Sequence, residues 1–385
     1  MICRLVLITE IIAPYRVPVF NALARQPGID LHVIFLAETD PTQREWLVPK
    51  GEIQFSYEVL RSWRRRVYGR NVLLNWSINE ALRKASPDVI VCGGYNYIAS
   101  WEALRCARRH QTPFLLWVES TVQDSRNGSS VIESLKIRFM GRCNAFVVPG
   151  RASFEYLRDY DIAEERIFTA PNAVDNAFFS QATEAVRAAA SAHRKMFDLP
   201  ERYFLFAGRL ETQKGVFDLI EAYAALAGGV RSEVGLVFAG DGSARAQLAR
   251  RAAAIRSGSI RIAGFLQRQQ LAIFYALAEV FVLPTHTDPW GLVVNEAMAC
   301  GLPVICSRAA GSAADLVNDG NGRLIDKGDV SQLLSAMNEL ARDPQGRLLM
   351  GKKSLEKIQP YCPESCAEGI ADAVLSCSEA SYVCA

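Results

Sequence analysis

Two cations stand five residues apart in Gly208-Arg209-Leu210-Glu211-Thr212-Gln213-Lys214-Gly215, directly after a short apolar run. A guanidinium fork and an ammonium point charge at that spacing suit a diphosphate gripped from two sides. An isolated Arg and Lys read equally well as solvated surface groups. A second segment, Gly240-Asp241-Gly242, follows another apolar run. Its glycines let backbone approach a ligand closely, or they form an ordinary tight turn. The third segment, Leu283 to Ile305, carries Asp288 and Glu296 eight residues apart, around the expected start of a helix that stops near Gly301. Such a helix start offers N–H groups and the positive end of a dipole, both suited to phosphate. Locally, Asp288 also reads as an N-cap with Pro289 in the first turn, and Glu296 as a solvated helix residue.

The elements that must position these groups alternate. Leu5–Ile8, Leu31–Leu36, Asp88–Cys92, Phe114–Val118 and Ala145–Val148 are candidate strands in the first half. Tyr203–Phe206, Val234–Phe238, Ile260–Ile262, Val280–Leu283 and Val304–Cys306 repeat the pattern in the second. Near-continuous apolar strands separated by helical stretches belong to parallel sheets covered on both faces. Two such blocks predict an α/β chain of two doubly wound, Rossmann-like domains. The boundary falls near Asn172, in the turn-like Ala170-Pro171-Asn172-Ala173-Val174-Asp175. A helical stretch, Gln181–Lys195, follows it, and the tail Pro363–Leu375 is again helical in character. Ligands of such sheets bind outside the carboxyl ends of the strands, where all three segments fall.

Composition removes other classes. The 385 residues suit two domains rather than one core, and the formal net charge of +2 gives no global pull toward nucleic acid. No uncharged apolar run approaches the roughly 18 residues a membrane helix needs. Glu10 interrupts the apolar start, and no small-residue cleavage site follows it, which argues against a signal peptide. Ten cysteines occur without a Cys-x-x-Cys pair, so reduced thiols and a cytoplasmic location are expected, with neither a zinc site nor a disulfide framework. Asp159-Tyr160-Asp161 has the form of a metal-binding triplet but follows the helical stretch Phe154–Tyr160, so a solvated helix end is the better reading. Of the four histidines, only His286 lies in a motif segment, where a structural role, or one supporting a site residue, is expected rather than catalysis.

Together the motifs resemble the retaining glycosyltransferase family 4, of GT-B fold. The third segment is similar to that family's signature: an acidic residue, seven others, Glu, then Ala-Met-Ala-x-Gly-x-Pro-Val. The Gly208-Arg209-Leu210 to Lys214-Gly215 stretch resembles its phosphate clamp. Gly240-Asp241-Gly242 and Ile262-Ala263-Gly264-Phe265 resemble its next two strand ends, and Pro171-Asn172-Ala173-Val174-Asp175 its domain junction. The resemblance covers the whole second half and is looser over residues 1–150.

The resemblance implies two Rossmann-like domains facing a central cleft. The first would be residues 1–173, on the acceptor side, with a tail helix at 362–385 crossing back to it. The second would be residues 174–361, holding the nucleotide-sugar donor. It implies that Arg209 and Lys214 bind the donor diphosphate and that Glu296 binds the ribose hydroxyls. Asp288 would take the place of a Glu that touches the transferred sugar. Gly291 and Leu292 would meet a phosphate, Gly264 and Phe265 the base, with Gly208 and Gly240 lining the strand ends. The implied reaction moves a sugar from a UDP- or GDP-linked donor to a glycan or lipid-linked acceptor hydroxyl, with retention, in bacterial surface polysaccharide or glycolipid assembly. No cofactor is implied, and cations with a helix terminus replace a metal in stabilising the leaving diphosphate. Two departures stand out. Asp288 is one methylene shorter than the usual Glu, and Glu119 follows a first-domain strand where the family commonly has histidine. A sugar-nucleotide-binding protein without catalysis is the alternative. A nicotinamide-dependent oxidoreductase would need Gly-x-Gly-x-x-Gly, and Arg245 replaces its third glycine.

Residues 1–170 carry 22 Lys plus Arg against 18 Asp plus Glu. Within them, Arg61, Arg64, Arg65, Arg66 and Arg70 cluster around Trp63 and Tyr68. Such a segment suits peripheral contact with an anionic membrane at the inner face of the cell membrane, or with a lipid-linked phosphorylated acceptor, or it is a solvated loop.

Overall fold

A computed structural model describes residues 2–40, 46–67, 70–124, 130–255 and 258–383. The chain divides into two compact units. Unit 1 joins Met1–Val174 to Cys362–Ala385, and unit 2 is Asp175–Tyr361.

Unit 1 holds strands β1 (Cys3–Thr9), β2 (Ile29–Phe35), β3 (Ser56–Val59), β4 (Ser62–Val67), β5 (Arg70–Asn75), β6 (Val89–Cys92), β7 (Phe114–Trp117), β8 (Ala145–Val148) and β9 (Ile167–Thr169). Seven of them form one parallel sheet in the order β3-β2-β1-β6-β7-β8-β9. Side chains alternate between its two faces: Leu5, Leu7, Val89, Val91 and Leu115 enter one core, and Val6, Ile8, Ile90, Cys92 and Leu116 the other. The helix Pro363–Val383 closes the first face with Cys366, Ile370 and Val374. β4 and β5 stand apart as an antiparallel hairpin.

Unit 2 holds β10 (Tyr203–Ala207), β11 (Gly235–Ala239), β12 (Ile260–Gly264), β13 (Val280–Leu283), β14 (Val304–Ser307) and β15 (Gly322–Ile325). They form one parallel sheet in the order β12-β11-β10-β13-β14-β15. The order reverses between β10 and β13, so the loops after those two strands leave from adjacent positions.

The expected strands are present. Those absent from the expectation are β3, β9, β15 and the hairpin. β3 and β9 are the edges of the first sheet and β15 an edge of the second. Edge strands are half-solvated and lack the apolar run of a central strand. The single helix expected over Gln181–Lys195 is two, Asn176–Ala188 and Ala190–Phe197, broken at Ala189.

Candidate functional site

The carboxyl ends of β10, β11 and β12 form a floor of bare backbone. Gly208, Gly240 and Gly264 take φ of +145°, +146° and +78°. The Gly240 N–H donates to Gly264 O at 2.8 Å, and the Gly208 N–H to Ala239 O at 3.0 Å. A Cβ on Gly240 would sit 1.9 Å from Gly208 O. Only glycine permits that conformation and that approach together. Phe265 follows, half-buried.

The clamp segment is held against the loop after β13. Gly215, at φ +70°, lets the chain pass Pro284, whose carbonyl oxygen would lie 2.0 Å from any Cβ added there. Gln213 O accepts from the His286 N–H at 2.9 Å and from Thr285 Oγ1 at 3.1 Å. His286 Nε2 lies 2.5 Å from Asp218 Oδ2, a structural pairing between the loop and the helix Val216–Ala225. This seam delivers Lys214, a buried residue, to Asp288: Nζ is 2.7 Å from Oδ2 and donates to Thr287 O at 3.2 Å. Arg209 leaves the same segment and pairs with Glu211, Nη1 to Oε1 2.8 Å. Gln213 Nε2 donates to the other Glu211 oxygen, also at 2.8 Å.

Asp288 is not the helix N-cap. The helix is Leu292–Ala299, and Gly291, at φ +86°, caps it. Asp288 instead sits in the approach, where its Oδ1 accepts from the Trp290 N–H at 3.3 Å and its carbonyl from the Gly311 N–H at 2.9 Å. The first helical turn carries no acidic side chain, with Leu292 half-buried at its start. The Asp288 carboxylate nonetheless stands beside it, its Oδ2 3.8 Å from where a Cβ on Gly291 would be, so the positive end of the helix suits an anion only because Lys214 neutralises Asp288. Glu296 lies further along the same helix and is only partly exposed. Tyr275 OH donates to its Oε2 at 2.8 Å. Burial pushes its carboxyl up to about 7, against the downward pull of the Tyr275 bond and of Arg268. Arg268 is anchored to Asp175, Nη2 to Oδ2 2.8 Å, and lies 3.8 Å above the Phe178 ring.

Unit 2 thus gathers Arg209, Lys214, Asp288, Gly291, Leu292 and Glu296, with Gly208, Gly240 and Gly264 along the same strand ends. Sequence reasoning missed Glu211 and Tyr275. Glu211 lay in view inside the clamp segment, as an anion two residues from its cation. Tyr275 gave no signal, because only sheet order brings it to Glu296.

Comparison with known proteins identifies the family. Residues 191–357 match the family model described as "Glycosyl transferases group 1", and residues 19–178 match "Glycosyltransferase Family 4". Each unit is therefore matched over most of its length. The chain belongs to glycosyltransferase family 4. Among curated relatives, a D-inositol 3-phosphate glycosyltransferase of Xylanimonas cellulosilytica is 30% identical over 56% of this chain and 53% of its own. A GDP-mannose-dependent alpha-mannosyltransferase of Corynebacterium glutamicum is 29% identical over 69% of this chain and 62% of its own. The family 4 chain thus spans roughly half to three-fifths of these two relatives. Among solved structures, Anabaena HepE in complex with UDP and glucose superposes with a TM-score of 0.75, covering 97% of this chain and 100% of that one. At 16% identity the likeness is one of fold, GT-B.

Glu119, at the carboxyl end of β7, belongs to unit 1 of the family 4 chain. Its Oε1 accepts from Arg16 Nη2 and, at 2.8 Å, from Asn172 Nδ2. Arg16 also stacks 4.1 Å over the Trp117 ring. Asp159 caps the helix Arg151–Arg158, and Asp161 follows in the left-handed region. The arginine-rich segment is not a solvated loop but the β4–β5 hairpin, with Tyr68 outside the described residues. Arg64 is turned inward, to Asp40 at 2.6 Å and Glu10 at 3.1 Å, whereas Trp63 and Arg65 stay exposed. Strand alternation separates neighbours that look equivalent in the sequence. Nine cysteines among the described residues are free thiols.

Proposed function

We propose that this chain transfers a hexosyl group from a UDP- or GDP-linked donor to an acceptor hydroxyl, with retention of configuration. The observation that carries the reading is the meeting of Lys214 with Asp288 at the start of a helix where strand order reverses, with Arg209 on the same segment as Lys214. Negative charge grows on the diphosphate as the glycosidic bond breaks. Arg209, Lys214 and the amides at Gly291 and Leu292 stabilise that charge, the term that dominates such transfers. Glu296 accepts hydrogen bonds from the ribose hydroxyls. Backbone at Gly264 and Phe265 meets the base, and Gly208 and Gly240 allow the donor close to the sheet. Asp288 bridges Lys214 and the transferred sugar. Retention follows attack on the face the leaving group vacates, with a diphosphate oxygen taking the acceptor's proton. No metal is assigned to the donor site.

Unit 1 is the acceptor side. A glycan or lipid-linked acceptor of surface polysaccharide or glycolipid assembly belongs to the reading, supported by a likeness to an O-antigen chain mannosyltransferase B of Escherichia coli, 27% identical over 43% of each chain. Peripheral contact with an anionic membrane from the cytoplasmic side is part of the reading. It is supported by the exposed Trp63 and Arg65, and by the helix Ser130–Met140, which exposes Ile132, Leu135 and Ile137 while burying Lys136.

The deciding experiment screens UDP- and GDP-sugars for turnover with wild type, Arg209→Ala and Lys214→Ala, with and without EDTA. Wild type should turn over in EDTA, and each variant should lose roughly a hundredfold or more. Near-normal turnover in both variants would sink the donor-site assignment. Loss in EDTA restored by magnesium or manganese would overturn metal independence. For the membrane contact, Arg61→Ser with Arg65→Ser should weaken sedimentation with anionic vesicles, and salt should do the same. Unchanged sedimentation of the double variant rejects that part alone.

A further inference from the structure

Both cations of the clamp already hold a carboxylate. The two pairs are unequal. Lys214 and Asp288 keep 11% and 19% side-chain exposure, against 41% and 27% for Arg209 and Glu211. A largely buried pair resists separation, because either charge left alone is costly. The half-exposed Arg209–Glu211 pair is better screened, closer to the about 0–1 kcal/mol of a surface pair, and exchanges more readily. Glu211 is nonetheless oriented, since Gln213 grips its second oxygen. Its carboxylate therefore stands ready at the guanidinium with which a diphosphate oxygen must bond.

We infer that Glu211 is a built-in competitor for Arg209, a positioning residue that loosens the hold on donor and on nucleoside diphosphate product. This rests on the proposed donor site. When the diphosphate bonds to Arg209, the Arg209–Glu211 bond is given up or shared, so binding is weaker than the bare cation would make it. When product leaves, Glu211 retakes the guanidinium, and departure exposes no unpaired charge. Carboxylate and diphosphate exchange on one guanidinium, with no bond made or broken covalently.

The test is calorimetric titration of the full chain with UDP and with GDP, for wild type, Glu211→Gln, Arg209→Ala and the double variant. Glu211→Gln keeps size and polarity and removes the charge. It should tighten nucleotide binding by roughly two- to fivefold, the range an exposed ion pair supplies. Arg209→Ala should weaken binding, and in that background Glu211→Gln should change nothing, since the competition is for Arg209. In steady state, Glu211→Gln should lower donor KM, and it should lower kcat where product release limits turnover. Equal or weaker binding by Glu211→Gln overturns the inference. So does tightening that persists without Arg209, which would be a general field effect. Normal binding by Arg209→Ala, or no binding of either nucleotide by wild type, instead removes the donor-site reading beneath it.

Discussion

Glu296, proposed to hold the donor's ribose, is also a source of instability, and Glu296→Gln should expose the trade. Burial raises its carboxyl from 4.5 to about 7. At about 1.4 kcal/mol per pH unit, ionising this side chain in the folded unit costs about 3 kcal/mol more than ionising it in the unfolded chain. That is an upper value, because the residue keeps partial contact with water. The sign follows from linkage. Below pH 4.5 the folded and unfolded chains both hold the proton, and the cost vanishes. It grows as pH rises toward 7 and is constant above, so ionised Glu296 destabilises the fold at neutral and alkaline pH. Gln carries no charge and keeps an acceptor for Tyr275 OH. Glu296→Gln should therefore be more stable than wild type at pH 8 by up to about 3 kcal/mol, and by less than about 1 kcal/mol at pH 5. For a unit of this size the larger figure is roughly 6–12 °C in melting temperature. The same variant should bind nucleotide at least tenfold more weakly, since hydrogen bonds to a charged acceptor are worth about 1.5–3 kcal/mol. Scanning calorimetry of both proteins at pH 5 and pH 8, beside nucleotide titration at pH 8, measures both effects. A variant less stable than wild type at pH 8, or a stability gap that does not shrink at pH 5, would refute the reasoning.

Gly240→Ala should cost donor binding and unit 2 stability together, by more than about 2 kcal/mol, because the new methyl would meet Gly208 O at 1.9 Å; a soluble variant with unchanged nucleotide affinity contradicts it. Glu119→Ala should destabilise by about 1–3 kcal/mol, as it leaves the largely buried Arg16 guanidinium without the partner that half-exposed Glu119 supplies, whereas Glu119→Gln keeps an acceptor and should lose less. Comparing melting temperature with turnover for the two decides the role of Glu119: turnover tracking stability marks positioning, and equal severe losses of turnover in two folded proteins mark a general base.

Much of this was legible in the chain. β10, β11 and β13 are buried throughout, so their apolar runs stand out. Glycines at the ends of β10, β11 and β12 announce backbone that runs close to something. The spacing of Asp288 and Glu296 was legible too, although the helix between them starts at Leu292, later than an N-cap at Asp288 would place it. Long-range pairing was not legible. Arg16 at the start of the helix Val17–Ala24, Glu119 after β7 and Asn172 after β9 converge, and no local pattern links them. The arginine run misled because a string of identical residues hides the twofold alternation of a strand; Arg64 serves Asp40 and Glu10, while its neighbour Arg65 lies 5.5 Å over the Trp63 ring.

The helix Pro363–Val383 gives this protein an unusual order of manufacture. Its residues Cys366, Ala367, Ile370, Ala371, Ala373 and Val374 complete the core of unit 1. Gly369 packs so closely that a Cβ there would lie 2.2 Å from Thr169 O. On the ribosome, then, the unit that begins first is finished last. Residues 175–361 must all be added before its apolar face can close, roughly 10–40 s at ordinary elongation rates. Unit 2 is one continuous segment whose ends meet, since Asn176 Nδ2 donates to Tyr361 O at 3.3 Å, so it can fold while unit 1 still waits. Until then the apolar face that this helix covers lacks its partner, the kind of transiently exposed surface that chaperones bind. A premature stop just before Cys362 would spare the segment that holds the clamp and spoil the one translated first.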